Sequence, residues 1–351
     1  MENRSLPSRF YTDAGEYQRQ LEQYFLPSWQ FAAPAESLAL AGTQLPYWFA
    51  EGSLHEPLLL TVNATGEKRV LSNVCTHRAK LLVEKPQHGQ DIRCGYHGRC
   101  FDLDGSMKAM TGMDGVVGFP AASDHLREFQ FEEVLGLAFV GLETSQKCSD
   151  WLKPVIARTA YLPWHKLKAR PEHTRDYPLA AHWALYVDNY LEGFHIPFVH
   201  PALTQQLVLQ AYDYENFEGG SLQLGLANGQ ASCFAPPAGH PDAGKRVAAY
   251  YFWLFPNLML NLYPWGLSLN QVLPQGVNQT IVRYFTFVWD ESQWGLGAGA
   301  DTNRVELEDH GIIASVQRGM RSRYWKPGMY SPRHESGVQW FHTMLRRNFN
   351  F

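Results

Sequence analysis

The chain has 351 residues, a length that favours two domains over one. Hydrophobic residues make up 45% of it, enough for real cores and unlike a disordered composition. A formal net charge of -4 excludes the basic balance expected of a nucleic-acid binder.

The N-terminus, MENRSLPSRF, has no apolar core segment and carries Glu2, so it does not read as a secretory signal. Residues 13–26 read as a short amphipathic helix, with Asp13 as N-cap and Glu16 at capping-box spacing. From Trp29 to Leu142 short apolar runs alternate with Gly, Asn and Pro, which predicts a small all-β domain. The polar stretch Glu143–Asp150 reads as a linker. Beyond it, helical periodicity over 182–194 and 302–322 mixes with β-like runs at 248–262 and 279–289, so the class is α+β. The expected division is an N-terminal helical segment over 1–28, a first domain over 29–144 and a second over 145–351.

Tyr250 to Leu269 runs twenty residues without a charge, the length of a membrane span. Pro256, Asn257, Asn261, Pro264 and Gly266 punctuate it, so it is expected to form two buried strands and a connection, with no role for a membrane. The five cysteines are an odd number in a chain too large to need disulfide staples, which suggests a reducing, cytoplasmic setting and thiols used as ligands or core residues.

Inside the β-rich region stand two mixed pairs, Cys75-Thr-His77 and Cys94-Gly-Tyr-His97. A two-iron cluster with one iron on two thiolates and the other on two imidazoles needs two Cys and two His on neighbouring loops, which is Rieske ligation. The competing reading is a structural zinc site, although zinc fingers group their ligands as Cys pair then His pair. Gly95 and Gly98 would let backbone N–H groups approach the sulfurs. Cys100, Cys148 and Cys233 read as ordinary thiols.

The second constellation lies in WALYVDNYLEGFHIPFVH, residues 183–200. Asp188, Glu192 and His195 fall at i, i+4 and i+7, one stripe of a helix, and Pro197 is expected to end that helix so that His200 swings back. One such His would more often be a core residue. Two around a helix break point to a metal, and a facial triad with one carboxylate suits oxygen-activating ferrous iron. In the C-terminal helix, Val305, Ile312, Val316 and Met320 form an apparent apolar face around Asp309, while Glu308 shares a polar stripe with Arg304, Gly311 and Ser315. Burying a carboxylate is costly unless it meets a cation, so Asp309 is the expected third ligand, with Glu192 and Asp188 as competitors. Trp253, Phe255, Tyr263 and Trp265 are candidates for an aromatic cage around a quaternary ammonium group, for hydrophobic core or for walls around an aromatic substrate.

The motifs CTHR…CGYHG…FDLDG, VDNYLEGFHIPFVHP and LEDHGIIASVQRGMRS resemble those of the α subunits of Rieske non-haem iron oxygenases. PNLMLNLYPWG is similar to the branch that contains choline, glycine-betaine and carnitine monooxygenases, and similar wording occurs in aromatic-ring-hydroxylating members. The resemblance implies a β-sandwich Rieske [2Fe-2S] domain followed by a helix-grip, START-like catalytic domain, in a homotrimer. It makes Cys75, His77, Cys94 and His97 cluster ligands, and His195, His200 and Asp309 ligands of a mononuclear Fe(II) that uses O2. Glu192 takes the position of the carboxylate that links the two centres, where many relatives have Asp, and His182 stands where relatives often have Asn. The implied activity is O2-dependent monooxygenation, dioxygenation or N-dealkylation of a small organic substrate. No Gly-rich dinucleotide fingerprint is present, so electrons are expected from a separate NAD(P)H-dependent flavin/iron-sulfur reductase. The competing reading is a Rieske electron carrier whose second domain is a non-catalytic ligand-binding cup.

Overall fold

The computed structural model describes residues 3–200, 213–229, 231–299 and 302–347. The chain forms two compact units, residues 26–150, and residues 151–351 together with 1–25.

In the first unit a seven-stranded antiparallel sheet runs in the order Trp29–Pro34, Leu137–Gly141, Glu128–Val134, Lys68–Ser72, Glu56–Val62, Thr43–Phe49, Gln87–His88. The apolar strand Glu56–Val62 lies at its heart, with Leu58, Leu60 and Val62 packed on Val70, Ala138 and Val140. A separate three-stranded sheet, Asp91–Arg93, Cys100–Asp102 and Met107–Ala109, carries the second Cys/His loop on its first turn.

The second unit is built on an eight-stranded antiparallel sheet. Its long central strands are Gly220–Leu226, Val247–Leu254, Leu258–Tyr263, Gly266–Gly276 and Gln279–Val288. Helices Trp183–Tyr190, Thr302–Gly319 and Ser336–Arg347 complete a helix-grip arrangement. The N-terminal residues form helices Ser8–Thr12 and Ala14–Gln20, the second capped by Asp13, whose Oδ1 accepts the Glu16 N–H at 2.9 Å. These helices belong to the second unit, where the Trp183 indole N–H donates to Gln20 Oε1 at 2.8 Å.

Three local expectations need correction. The uncharged run Tyr250–Leu269 touches three strands, the end of one, the whole of Leu258–Tyr263 and the start of another, and Asn261 lies within a strand, not at a turn. The helix expected over 182–194 stops at Tyr190. In the C-terminal helix Ile312 and Val316 are exposed, and the buried stripe is Glu306, Asp309, Ile313 and Gln317. Glu306 and Asp309 of that stripe line a polar cavity, while Gln317 donates to the Tyr11 carbonyl and to Asn278. No helix among the described residues is long and apolar enough to cross a membrane.

Candidate metal centres and their cavity

The two Cys/His pairs sit on loops of matching geometry. In each, the Cys N–H donates to the carbonyl five residues on, Cys75 to Lys80 at 2.9 Å and Cys94 to Arg99 at 2.8 Å. Each Cys carbonyl accepts an N–H from the residue four on, Ala79 at 3.0 Å and Gly98 at 3.1 Å. Those two residues have positive φ, 53° at Ala79 and 71° at Gly98, the conformation that turns each loop back on itself. The sulfurs accept backbone N–H bonds, Cys75 from His77 and Arg78, and Cys94 from Tyr96 and His97. Burial pushes the Cys75 thiol up, whereas at Cys94 those N–H donors outweigh burial and hold it down.

Both cysteines are buried and both histidines exposed, with the imidazoles 4.8 Å apart between ring centroids. Two thiolates inside and two imidazoles at the surface suit a cluster whose irons differ in ligation, and backbone donors on the sulfurs suit its tuning. Buried Arg99 joins the loops, donating to Thr76 Oγ1 at 2.6 Å and to Asp124 Oδ1 at 3.0 Å. Cys100 lies in strand Cys100–Asp102 behind the loop, and none of the five cysteines forms a disulfide.

In the second unit Pro197 does not end the long helix. It occupies the first turn of a four-residue helix, Ile196–Val199, where its missing N–H costs nothing. His195 and His200 bracket that single turn. Just before it, Glu192 folds back on the chain, accepting the backbone N–H groups of Phe194 and, at 3.0 Å, His195, while its other oxygen lies 2.6 Å from His195 Nδ1. The Nε2 atoms of His195 and His200 stand 3.4 and 3.0 Å from Asp309 Oδ1. Adjacent ligands at right angles around an ion, with bonds of about 2.1 Å, lie about 3 Å apart, so this set fits one metal ion.

Glu308 was missed by the sequence reading. It is half-buried and reaches His200 Nδ1 at 2.8 Å, itself held by Arg304 at 3.0 Å. Each imidazole thus has a carboxylate on Nδ1, which fixes the tautomer that offers Nε2. Burial opposes protonation of His200, but Asp309 and Glu308 more than offset it and raise its proton affinity. Asp188, one competitor for the metal, instead binds His342 Nε2 at 2.8 Å and the Tyr11 hydroxyl at 2.8 Å.

Beside this cluster lies a cavity of about 120 Å³. Its floor is a polar row across four strands, Gln223 opposite Tyr251, Tyr251 opposite Asn261, and Asn261 opposite Ser268. Buried amides in central strands are costly without partners, and here Gln223 donates to the Tyr190 carbonyl at 2.6 Å while Asn261 accepts from the Tyr190 hydroxyl at 2.7 Å. At another wall, buried Glu306 accepts bonds from the Tyr186 hydroxyl at 2.9 Å, from the Tyr284 hydroxyl and from His310 Nε2 at 2.7 Å. Burial, then the Glu306 charge, keeps both phenols protonated. Of the four proposed cage aromatics, Tyr263 lines this cavity. Trp265 lines a neighbouring one, and Trp253 is core, 5.0 Å from Phe341 between ring centroids. Phe255 packs on Tyr24.

A sulfur-and-imidazole loop pair in a β-sandwich, with a His/His/carboxylate cluster in a helix-grip unit, defines the class as iron–sulfur oxygenases that activate dioxygen at a second iron. Residues 28–120 match the Rieske [2Fe-2S] domain, and residues 167–350 match the ring hydroxylating alpha subunit (catalytic domain). The chain belongs to the ring-hydroxylating alpha subunits. It is 27% identical to a chloroplastic choline monooxygenase of Arabidopsis thaliana, over 97% of this chain and 82% of that one. It is 26% identical to the carnitine monooxygenase oxygenase subunit of Escherichia coli K12, over 98% and 94%. Among solved structures, a quaternary ammonium Rieske monooxygenase superposes with a TM-score of 0.82 at 22% identity, covering 99% of this chain and 96% of that one. Naphthalene 1,2-dioxygenase from Rhodococcus sp. superposes at 0.76 with 16% identity, covering 98% and 93%. The chain is therefore an oxygenase component with a Rieske cluster, a mononuclear iron and O2 as cosubstrate, acting on a small molecule with electrons from a separate reductase.

Proposed function

We propose that His195, His200 and Asp309 hold the catalytic iron, that Cys75, His77, Cys94 and His97 hold the cluster, and that the substrate is a small quaternary ammonium compound oxidised by one oxygen atom. The observation that carries the metal assignment is the convergence of two Nε2 atoms on Asp309 Oδ1 at 3.0 and 3.4 Å, each ring having a carboxylate on its other nitrogen. When bound, the cluster supplies electrons and the iron activates dioxygen, with positions of its coordination sphere left open.

The chain's own residues prepare that site. Glu192 and Glu308 hold the Nδ1–H groups and so aim both Nε2 lone pairs at one point. The tyrosine-lined cavity opens directly onto the His195, His200 and Asp309 cluster, so a bound molecule is presented to it. The substrate class rests on the choline and carnitine monooxygenases among the relatives and on those tyrosine faces.

The working assembly is proposed as a cytoplasmic homotrimer fed by an NAD(P)H-dependent flavin/iron-sulfur reductase. Electrons would pass from the cluster of one subunit to the iron of its neighbour, with Glu192 as the linking carboxylate. Mixing a Cys75→Ser chain with a His200→Ala chain tests this, since only transfer between subunits restores activity to mixed assemblies.

Metal analysis decides the main assignment. About three irons per chain are expected, against about two for an electron carrier, and Asp309→Ala or His195→Ala should lose one iron and keep the cluster absorption. Retention of the full iron complement by both variants refutes the ligand set. Product analysis with choline, carnitine and simple aromatics, supplied with a surrogate reductase, tests the substrate class.

A further inference from the structure

Glu306 is a carboxylate that the metal assignment does not use. It is 2% exposed, lies in the C-terminal helix one turn before Asp309, and lines the same cavity. Its charge is held in place by three donors, the hydroxyls of Tyr186 and Tyr284 and Nε2 of His310. An ionised carboxylate in such a place is costly to bury, and hydrogen bonds alone replace only part of its lost hydration.

The rest of the cavity wall contains no compensating cation. Among the described lining residues the carboxylates are Glu192, Glu306 and Asp309, and no Lys or Arg is present. With ferrous iron bound, its two positive charges are matched by Asp309 and Glu192, so Glu306 has no cationic partner within the lining; His310, 2.7 Å from one of its oxygens, lies outside it. The remaining lining combines aromatic residues, Tyr190, Tyr251 and Tyr263, with the neutral amides Asn261 and Asn270. A ring face attracts a cation and does little for an anion. The volume, about 120 Å³, is of the order that admits one benzene-sized group.

We infer that Glu306 is the counter-ion that selects a cationic substrate headgroup and holds it beside the iron site. This deepens the quaternary ammonium reading and rests on it. A methylated ammonium has no N–H to donate, so hydrogen bonding cannot recognise it. Recognition must come from charge at close range and from polarisable faces, and the cavity offers both. Tyr186 and Tyr284 line the same cavity and donate their hydroxyls to Glu306, which fixes the carboxylate in place. Glu306 is thus a binding residue that determines specificity by charge.

The test compares two ligands of equal shape and different charge, choline and its neutral isostere 3,3-dimethylbutan-1-ol. Binding to the anaerobic iron-loaded enzyme is measured by calorimetry for wild type and Glu306→Gln, with tetramethylammonium as a third probe. Gln keeps the volume and an acceptor for the tyrosine hydroxyls. Wild type should prefer the cations, and Glu306→Gln should weaken choline and tetramethylammonium by about tenfold or more while leaving the isostere nearly unchanged. Iron content in the variant should equal that of wild type. If the variant weakens cation and isostere alike, or neither, Glu306 is not the counter-ion, although a wild-type preference for cations leaves the substrate reading standing. If wild type binds no cation, or binds the isostere equally well, both inferences fall.

Discussion

Replacing His182 with asparagine isolates one buried imidazole as a source of acid sensitivity. His182 caps the helix Trp183–Tyr190, its Nδ1 accepting the Ala184 N–H at 3.2 Å, and its own backbone N–H donates to Gln317 at 2.8 Å. The rings of Phe10, Tyr11 and Tyr17 surround it edge-on at 5.5 to 6.1 Å, and Nε2 meets no acceptor among the described residues. Burial therefore pushes its proton affinity down to about 3 from an ordinary 6.5. The sign follows from where each state binds the proton. Unfolded chain takes it near pH 6.5, and folded chain does not until about pH 3, so stability present above 6.5 is lost as pH falls between those values. The loss is about 1.4 kcal/mol for each pH unit, hence about 2 kcal/mol by pH 5. Asparagine can cap the same N–H and does not titrate, although its smaller side chain costs about 1–2 kcal/mol at every pH. The assay is hydrogen exchange of the Trp183–Tyr190 segment, followed by mass spectrometry at pH 7.5 and 5.0 in both chains. Comparison at equal pH cancels the intrinsic exchange rates. Wild type should lose about 2 kcal/mol more protection than the variant between the two conditions. Parallel losses would refute the assignment of a neutral, desolvated His182.

Three other outcomes follow from the structure. Glu308→Ala should weaken iron binding by about tenfold to a hundredfold, because His200 loses the partner on Nδ1, and iron titration of the apo-protein with the cluster intact measures it. Equal affinity in the variant would return Glu308 to the solvent-facing role its sequence stripe suggests. Arg99→Met should shorten the lifetime of the cluster absorption in air, since Thr76 and Asp124 lose the guanidinium that joins the two ligand loops; an unchanged decay would make that contact incidental. Burial, then the charge of Glu132, pushes the Cys148 thiol up, so iodoacetamide should modify it at least about tenfold more slowly than half-buried Cys233, as read by peptide mass spectrometry. Equal rates would show that Cys148 is accessible.

The Cys/His loops and the β-rich domain around them were legible because their signal is local. Ligands two or three residues apart, with Gly98 at a positive-φ turn, leave few alternatives for the backbone. The second centre was only half legible. His195 and His200 were set around a helix break, but the break was placed at Pro197, whereas the long helix stops at Tyr190, Glu192 folds back onto the His195 N–H, and Pro197 opens a new turn. Periodicity does not mark where the chain leaves a helix. Asp309 was reached through a stripe that is not the buried one. Val316 and Ile312 face outward, while Glu306, Asp309 and Gln317 face inward, so an apolar-face argument reads this helix in the wrong sense.

The misreadings of the Asp309 helix and of Asn261 share one cause. Hydrophobic periodicity finds the inside of a protein on the assumption that the inside is apolar, and a cavity lined by polar residues inverts that assumption. The same inversion placed Asn261 at a hydrated turn, although it stands in a central strand and holds the Tyr190 hydroxyl. Where a helix or strand buries its polar residues and exposes its apolar ones, the conflict between pattern and burial itself marks the binding site. Here that conflict converges on one cavity from both sides, through the helix that carries Glu306 and Asp309 and through the strands that carry Asn261 and Asn270.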